Sequence, residues 1–379
     1  MKIKILHVTQ ATIGGTLEYL KLLLLRLDSN LFDITVICPS YGPMADELKA
    51  LGIKVKIIDM TREISIKDDF KAIKELYKYI KKNRFDIIHL HSSKAGAIGR
   101  IANLFTNIPC VYTPHGWAFN MKVSSKKKLF YKIIEKILAY MCESIVAISP
   151  AERNDAIKFK ISKNEKIRLI TNGIDINKFN FDFNFKIRDK LKISKKTKII
   201  GMVGRLSLQK DPLTFVKVAK LISDRGYNTY FMLVGDGELR KDVEEKIELY
   251  GLKNKFLITG WTNEVEKYVS CFDVGVLTSQ WEGFGLVLAE YMAAKIPIVA
   301  SKVDGICDVV KDKYSGVLVS PGDVEGFANK IITILEDEEL ANKYVKNGYE
   351  RVVKEFSIER VVKQHENLYK ELLNINRNK

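Results

Sequence analysis

The chain is poor in the features that would mark it as secreted, membrane-spanning or metal-bound. Its five cysteines (Cys38, Cys110, Cys142, Cys271 and Cys307) are odd in number, far apart and never form Cys-x-x-Cys. Each lies in an apolar context, so we expect reduced, buried thiols in a cytosolic protein and no structural zinc. The opening residues, Met1 to Val8, are too few and too charged for a signal peptide and read as a strand. No apolar run approaches the length of a bilayer. Gly-x-Gly-x-x-Gly is missing after the first strand, which disfavours NAD. Asp-x-Asp is missing too: Asp68-Asp69 lacks the middle residue, and Asp182-Phe183-Asn184 ends in an amide. We therefore expect no metal and no cofactor.

Negative charge is also short, with 62 Lys and Arg against 46 Asp and Glu, a net of +16. Residues 1–183 hold 30 basic and 18 acidic residues (+12), and 184–379 hold 32 and 28 (+4). A basic first half suits nucleic acid, anionic lipid or a phosphorylated substrate. Nucleic acid ranks last, because no recognition helix, zinc finger or RNP-type aromatic motif is present.

What is present is an α/β alternation. With 379 residues and 46% hydrophobic content, two globular domains are the default. Short apolar runs read as strands at 3–9, 33–38, 54–58, 87–91, 110–113 and 144–148, then at 198–203, 229–234, 256–259, 274–277, 298–301 and 316–319, with amphipathic stretches between them. Two runs of six imply two similar Rossmann-like, doubly wound domains. The break falls within 172–193, where Asn180 to Phe185 fits no period. Ligands of such sheets bind at the C-terminal strand ends, so two facing domains would form a central cleft. The run 358–373 reads as a helix.

The chemistry clusters at strand ends. Trp281-Glu282-Gly283-Phe284-Gly285-Leu286 reads as a Gly-rich turn entering a helix that carries Glu290. Free amides and the positive helix end favour an anion, and two carboxylates suit sugar hydroxyls. The plainer reading is a Gly-capped helix with two solvated charges. Gly14-Gly15 marks a turn after strand one that a phosphate could approach. His89 and His91 alternate on a strand and share a face; a metal would need a third ligand, none is evident, and a packed pair is expected. The turn from Ser92 to Arg100, with Lys94, could line an acceptor. His115-Gly116 ends another strand, with Trp117 and Phe119 as walls for a sugar. Arg205 and Lys210 follow the strand that ends at Gly204, where two cations can neutralise a diphosphate. Asp236 reads as fixing a turn.

Residues 121–141 hold Lys122, Lys126, Lys127, Lys128, Lys132 and Lys136 against Glu135 alone. Leu129, Phe130, Ile133, Ile134, Ile137 and Leu138 recur at helical spacing. Two readings stay open: a basic amphipathic helix lying in an anionic membrane surface, or a core-facing helix with a solvated Lys face.

Taken in order, Gly14-Gly15, His115-Gly116, Asn172-Gly173-Ile174-Asp175, Arg205/Lys210 and Glu282-x7-Glu290 resemble the retaining glycosyltransferases of family 4, over nearly the whole chain. The resemblance implies the GT-B fold, with an acceptor-side domain (1–175), a nucleotide-sugar domain (176–357) and a last helix (358–379) that crosses back onto the first. It implies that Arg205 and Lys210 bind the nucleotide diphosphate and that the turn near Trp261 reads the base, by family habit uracil rather than guanine. It further implies that Glu282 contacts the donor sugar's hydroxyls, Glu290 the ribose, and His115 the sugar near the reaction centre, while the amides of Gly283, Phe284, Gly285 and Leu286 stabilise the leaving diphosphate. The expected activity is metal-independent transfer of a sugar from a nucleotide diphosphate sugar to an acceptor hydroxyl with retention, His115, Glu282, Arg205 and Lys210 carrying it. The expected acceptor is a polyprenyl-diphosphate-linked or growing glycan. It would be met by a peripheral protein at the cytoplasmic membrane face, held through Lys126, Lys127 and Lys128. The alternatives are a GT-B sugar-nucleotide 2-epimerase and a basic scaffold for membrane or nucleic acid.

Overall fold

A computed structural model describes residues 2–61, 63–121, 123–179 and 185–377. The chain divides into two compact units, one of residues 1–173 with 358–379, the other of 174–357. The aperiodic run 180–184 lies outside the described residues, as does Lys122.

The first unit is built on seven strands: β1 (Ile3–Thr9), β2 (Phe32–Cys38), β3 (Lys54–Ile57), β4 (Ile87–His91), β5 (Cys110–Thr113), β6 (Ser144–Ala147) and β7 (Ile167–Leu169). They pair in the order β3-β2-β1-β4-β5-β6-β7, every pair parallel. β7 was not anticipated; it has three residues, two of them exposed, and leaves almost no apolar signal. The second unit holds β8 (Lys198–Val203), β9 (Thr229–Val234), β10 (Phe256–Ile258), β11 (Val274–Leu277), β12 (Ile298–Ser301) and β13 (Val317–Val319). Their order, β10-β9-β8-β11-β12-β13, repeats the pattern of the first six.

Helices cover both faces of such sheets, so central strands are buried on both sides and read as unbroken apolar runs. β4, β5, β6, β11 and β12 are buried at every residue. Each sheet reverses direction of winding once, between β1 and β4 and between β8 and β11. Those two points are where open α/β sheets leave a crevice for ligands.

The last helix, Ile358–Arg377, belongs to the first unit. Ile358, Val361, Val362, Leu368, Tyr369 and Leu372 recur at helical spacing and are buried in one core with Ile5, Leu20, Leu23 and Leu24. The fold is thus the expected pair of Rossmann-like domains with a returning C-terminal helix.

Candidate active site

In the second unit, the polar residues gather where β8 and β11 end. Asp211 begins the helix Pro212–Asp224 in a left-handed conformation (φ 48°), and its side chain accepts from the Thr214 amide. This cap turns the preceding loop back so that Lys210 faces Glu282, and the two form a salt bridge. The Ser279 hydroxyl donates to the same Glu282 Oε1 at 2.9 Å. Both side chains are largely sequestered, at 19% and 8% exposure. The loops are further tied by Gln209 Nε2 donating to the Trp281 carbonyl at 3.1 Å and by the Gln280 amide donating to the Gln209 carbonyl at 2.8 Å.

The helix Leu286–Ala293 starts beside this pair. Its N-cap, Gly285, has φ 82°, a left-handed conformation that glycine adopts without strain, and no side chain caps the helix. The Leu288 amide returns to the Gly285 carbonyl at 2.9 Å, and no side chain among the described residues caps the amides before it, which leaves those for an anion. Glu290 lies on this helix. The Tyr291 hydroxyl accepts from the Val203 amide at 2.8 Å and ties the helix to β8. Gly305 makes the turn possible from behind: a Cβ there would lie 2.5 Å from the Glu282 carbonyl oxygen. Sequence reasoning missed Gly305, because its partner loop is remote in the chain. The Phe284 ring is buried against Phe356 at 5.3 Å, so it anchors the turn and offers a ligand its backbone alone.

Arg205 is half-exposed beside β8, with Glu238 3.9 Å away. The neighbouring turns interlock backbone to backbone. A Cβ at Gly235 would meet the Gly204 carbonyl oxygen at 2.2 Å. Asp236 fixes its turn, accepting from the Gly237 amide and from Arg240, both at 2.8 Å. Trp261 follows β10 and is exposed. The second unit thus brings Arg205, Lys210, Glu282, Gly283, Gly285 and Leu286 to the ends of two adjacent strands.

In the first unit, Gly14 (φ 71°) precedes the helix Gly15–Arg26 and both glycines are exposed. His115 and Gly116 end β5 with φ 54° and 107°, and positive φ at a histidine marks a constrained turn. Glu152 holds that turn. It accepts from the Gly116 amide, and from the Ile148 amide at 2.8 Å. Burial pushes the Glu152 carboxyl up to about 7. The Ser149-x-x-Glu152 spacing is a capping-box signal that sequence reasoning passed over. Trp117 and Phe119 are not sugar walls. They are buried, stacked on each other at 5.3 Å, and the Trp117 indole donates to the Glu152 carbonyl at 2.9 Å.

The residues from Ser92 to Arg100 also differ from expectation. Lys94 is spent on Asp69 at 2.5 Å and on the Glu63 carbonyl at 2.6 Å. Arg100 is fully buried, 3.9 Å from the centre of the Tyr112 ring, and pairs with Glu135 at 2.9 Å. Neither lines an acceptor site. Gly99 lets this helix close on β4: a Cβ there would meet Leu90 Cδ2 at 2.2 Å.

That buried pair sets the rotation of the helix Ser125–Leu138. Glu135 points inward to Arg100, and Tyr112 donates to its other oxygen at 2.8 Å. Four of the six apolar residues therefore point outward: Leu129, Phe130, Ile133 and Ile137 are 60, 48, 47 and 55% exposed, while Ile134 is half-buried and Leu138 is buried. The face turned to the core is the one that carries Glu135 and Leu138, because a buried Arg must have its carboxylate. Lys126 and Lys127 flank the stripe and are exposed, while Lys128 is half-buried. Tyr140 and, on the adjoining helix, Ile101, Leu104 and Phe105 are exposed as well.

The histidines depart furthest from the sequence reading. His89 and His91 do pack together, with ring centroids 4.0 Å apart. A third imidazole is nevertheless at hand: one ring nitrogen each of His7, His89 and His91 lies within 4.8 Å of the others. His115 and His365 complete a cluster of all five histidines in the chain, built from β1, β4, the end of β5 and the last helix. Burial pushes His7, His115 and His365 down to about 3, and His89 and His91 well below the usual range. Among the cysteines, Cys307 is exposed and the other four are buried. The description of Cys307 as buried fails because its helix, Asp304–Val309, turns only one face inward.

Comparison with known proteins places this geometry. Residues 13–178 match the family model described as Glycosyltransferase Family 4, and residues 183–351 match that of Glycosyl transferases group 1. Over 375 residues the chain is 33% identical to UDP-Gal:alpha-D-GlcNAc-diphosphoundecaprenol alpha-1,3-galactosyltransferase of Escherichia coli, covering 97% of each protein. It is 28% identical to the capsular polysaccharide biosynthesis glycosyltransferase CapM of Staphylococcus aureus, over 84% of this chain and 85% of that one. The structure of Anabaena HepE with UDP and glucose superposes with a TM-score of 0.83 at 21% identity, over 97% of this chain and 99% of that one; at that identity it speaks for the fold alone. Matched over both units and folded as a GT-B pair, the chain belongs to the family 4 glycosyltransferases.

Proposed function

We propose that this enzyme transfers a sugar from a UDP-sugar, with retention and without a metal, to a polyprenyl-diphosphate-linked glycan at a membrane surface. The observation that carries the reading is the Lys210–Glu282 pair at the uncapped start of Leu286–Ala293. It sets a cation, a carboxylate and free amides side by side, the set that a donor with a diphosphate and hydroxyls requires. As the glycosidic bond breaks, negative charge grows on the leaving diphosphate. Arg205, Lys210 and the amides from Gly283 to Leu286 take up that charge. Glu282 orients the sugar hydroxyls and Glu290 the ribose. Trp261 borders the base. Retention follows from attack on the face the diphosphate leaves, a diphosphate oxygen taking the acceptor proton.

The acceptor class is supported by what the E. coli relative's name says of its own substrate. It is supported also by the outward apolar stripe of Ser125–Leu138 between lysines, which suits the boundary of an anionic bilayer. No helix among the described residues is long and apolar enough to cross a membrane, so attachment would be from one side. The family assignment favours transfer over epimerisation.

The test is a thermal-shift and calorimetry panel of UDP, GDP, ADP and their common sugar conjugates, UDP-galactose included, with and without EDTA. Stabilisation by the uridine series, indifferent to EDTA, is expected. A preference for another base, or a need for metal, overturns the donor assignment. The anomeric configuration of the glycoside formed then decides retention.

A further inference from the structure

Three of the five histidines form a line. His7 Nδ1 lies 3.0 Å from His91 Nε2, and His91 Nδ1 lies 3.0 Å from His115 Nε2. Within each pair the rings are close to coplanar, at 12° and 25°, with centroids 5.3 and 5.2 Å apart. Those separations equal the N···N distance plus two ring radii, so the imidazoles meet edge to edge, nitrogen against nitrogen. This is hydrogen-bond geometry. Imidazoles sharing a metal at about 2.0–2.1 Å aim their lone pairs at a common point off the N···N line. His89, the third member of the candidate metal cluster, has both nitrogens engaged, Nδ1 with the Tyr369 hydroxyl at 2.7 Å and Nε2 with Thr113 Oγ1 at 2.8 Å.

The far end of the line sets its direction. His7 Nε2 is buried and has no hydrogen-bond partner among the described residues. A ring nitrogen left alone in the interior is better bare than carrying a stranded N–H. His7 then carries its proton on Nδ1 and donates to His91 Nε2. His91 in turn carries its proton on Nδ1 and donates to His115 Nε2. His115 is left with its proton on Nδ1, a nitrogen with no hydrogen-bond partner among the described residues. The rings that touch the line are uncharged at neutral pH: His89 packs against His91, the Tyr19 ring meets His115 edge-on at 5.2 Å, and the Tyr19 hydroxyl pairs with His365 Nε2 at 2.6 Å. Burial holds the line's own imidazoles neutral, so each carries a single proton.

We propose that His7 and His91 are positioning residues that lock His115 in its Nδ1–H tautomer, so that His115 meets the sugar as a hydrogen-bond donor and not as a base. The proposal rests on the reading above that His115 borders the reacting sugar. It assigns work to two residues remote from the substrate. It also agrees with a reaction in which the diphosphate, not a side chain, takes the acceptor proton.

The experiment is long-range 1H–15N correlation NMR on the full-length protein labelled at its five histidines, assigned by single substitutions. At pH 7.5 the expected result is a neutral His115 protonated on Nδ1. His91→Leu removes the donor and should shift His115 toward the Nε2–H form, with turnover of the donor found in the nucleotide panel falling at least about tenfold. His91→Asn sets an amide N–H where His Nδ1 lies, and should restore both the tautomer and most of the turnover. A purely structural role would give both variants the same loss. A wild-type His115 protonated on Nε2 overturns the proposal without any variant, even if neither variant folds. So do site-specific shifts of His7, His89 and His91 on adding one equivalent of Zn2+. If instead the tautomers behave as stated but His115→Ala turns over as wild type, the line stands as geometry. What fails in that case is the placement of His115 at the sugar.

Discussion

At the scale of single residues, the decisive feature is a cation and a carboxylate that hold each other in place. Lys210→Ala leaves Glu282 with only the Ser279 hydroxyl, and we expect turnover to fall by about 10²-fold or more. Loss of this largely sequestered pair should cost about 1–2 kcal/mol of stability. A double-mutant cycle with Glu282→Gln, read by chemical denaturation and turnover, should be strongly non-additive; additive losses would mean that the two act separately. Glu290→Ala should lower turnover severely, because the variant loses the carboxylate that holds the ribose hydroxyls; wild-type turnover would sink that assignment. Much of this was legible, because Arg205, Lys210, Glu282 and Glu290 each follow a strand in recognisable spacing. Gly305, Glu152 and His7 were not. Each acts on a loop or ring far away in sequence, and nothing in a local window shows which segment will arrive beside it.

At the scale of elements, strand positions were legible almost to the residue, since buried parallel strands write themselves as apolar runs. The rotation of the helix Ser125–Leu138 was not. Its pattern fixes that one side is apolar, not which side faces in, and the choice was made by Arg100 on another helix. Changing Glu135 to Ala should therefore destabilise the first unit by about 3–5 kcal/mol, because it strands a buried guanidinium; denaturant titration reads this directly. The outward stripe behaves oppositely. Replacing Leu129, Phe130, Ile133 and Ile137 with Ser should change stability by about 0.5 kcal/mol or less per site. It should abolish co-sedimentation with vesicles containing anionic lipid. Lys126, Lys127 and Lys128 changed to Glu should weaken that binding most at low salt. Vesicle binding untouched by either set would remove the membrane from the account.

At the scale of the whole molecule, the two units differ in one titratable residue type. All five histidines lie in the first unit and none in the second. In the fold these imidazoles are held below their ordinary value near 6.5, so the unfolded chain takes up more protons between about 3 and 6.5. Their contribution is present in full above about pH 6.5 and is lost as pH falls, by up to about 1.4 kcal/mol per imidazole per pH unit. Calorimetry at pH 7.5 and 5.5 should show the first unit's transition moving to much lower temperature while the second unit's moves little. Phe substitutions at His365 and His89 should flatten the dependence. The returning helix has a consequence for how the protein is made. Ile358, Val361, Leu368 and Tyr369 are interior residues of the first unit, yet they leave the ribosome only after residues 174–357 have been made. Residues 1–173 cannot close their interior until the second unit has been synthesised, although domains commonly fold in the order they emerge. The nascent N-terminal half must therefore wait, its helix Gly15–Arg26 still unmatched, and a ribosome stalled before residue 358 should hold a protease-sensitive chain.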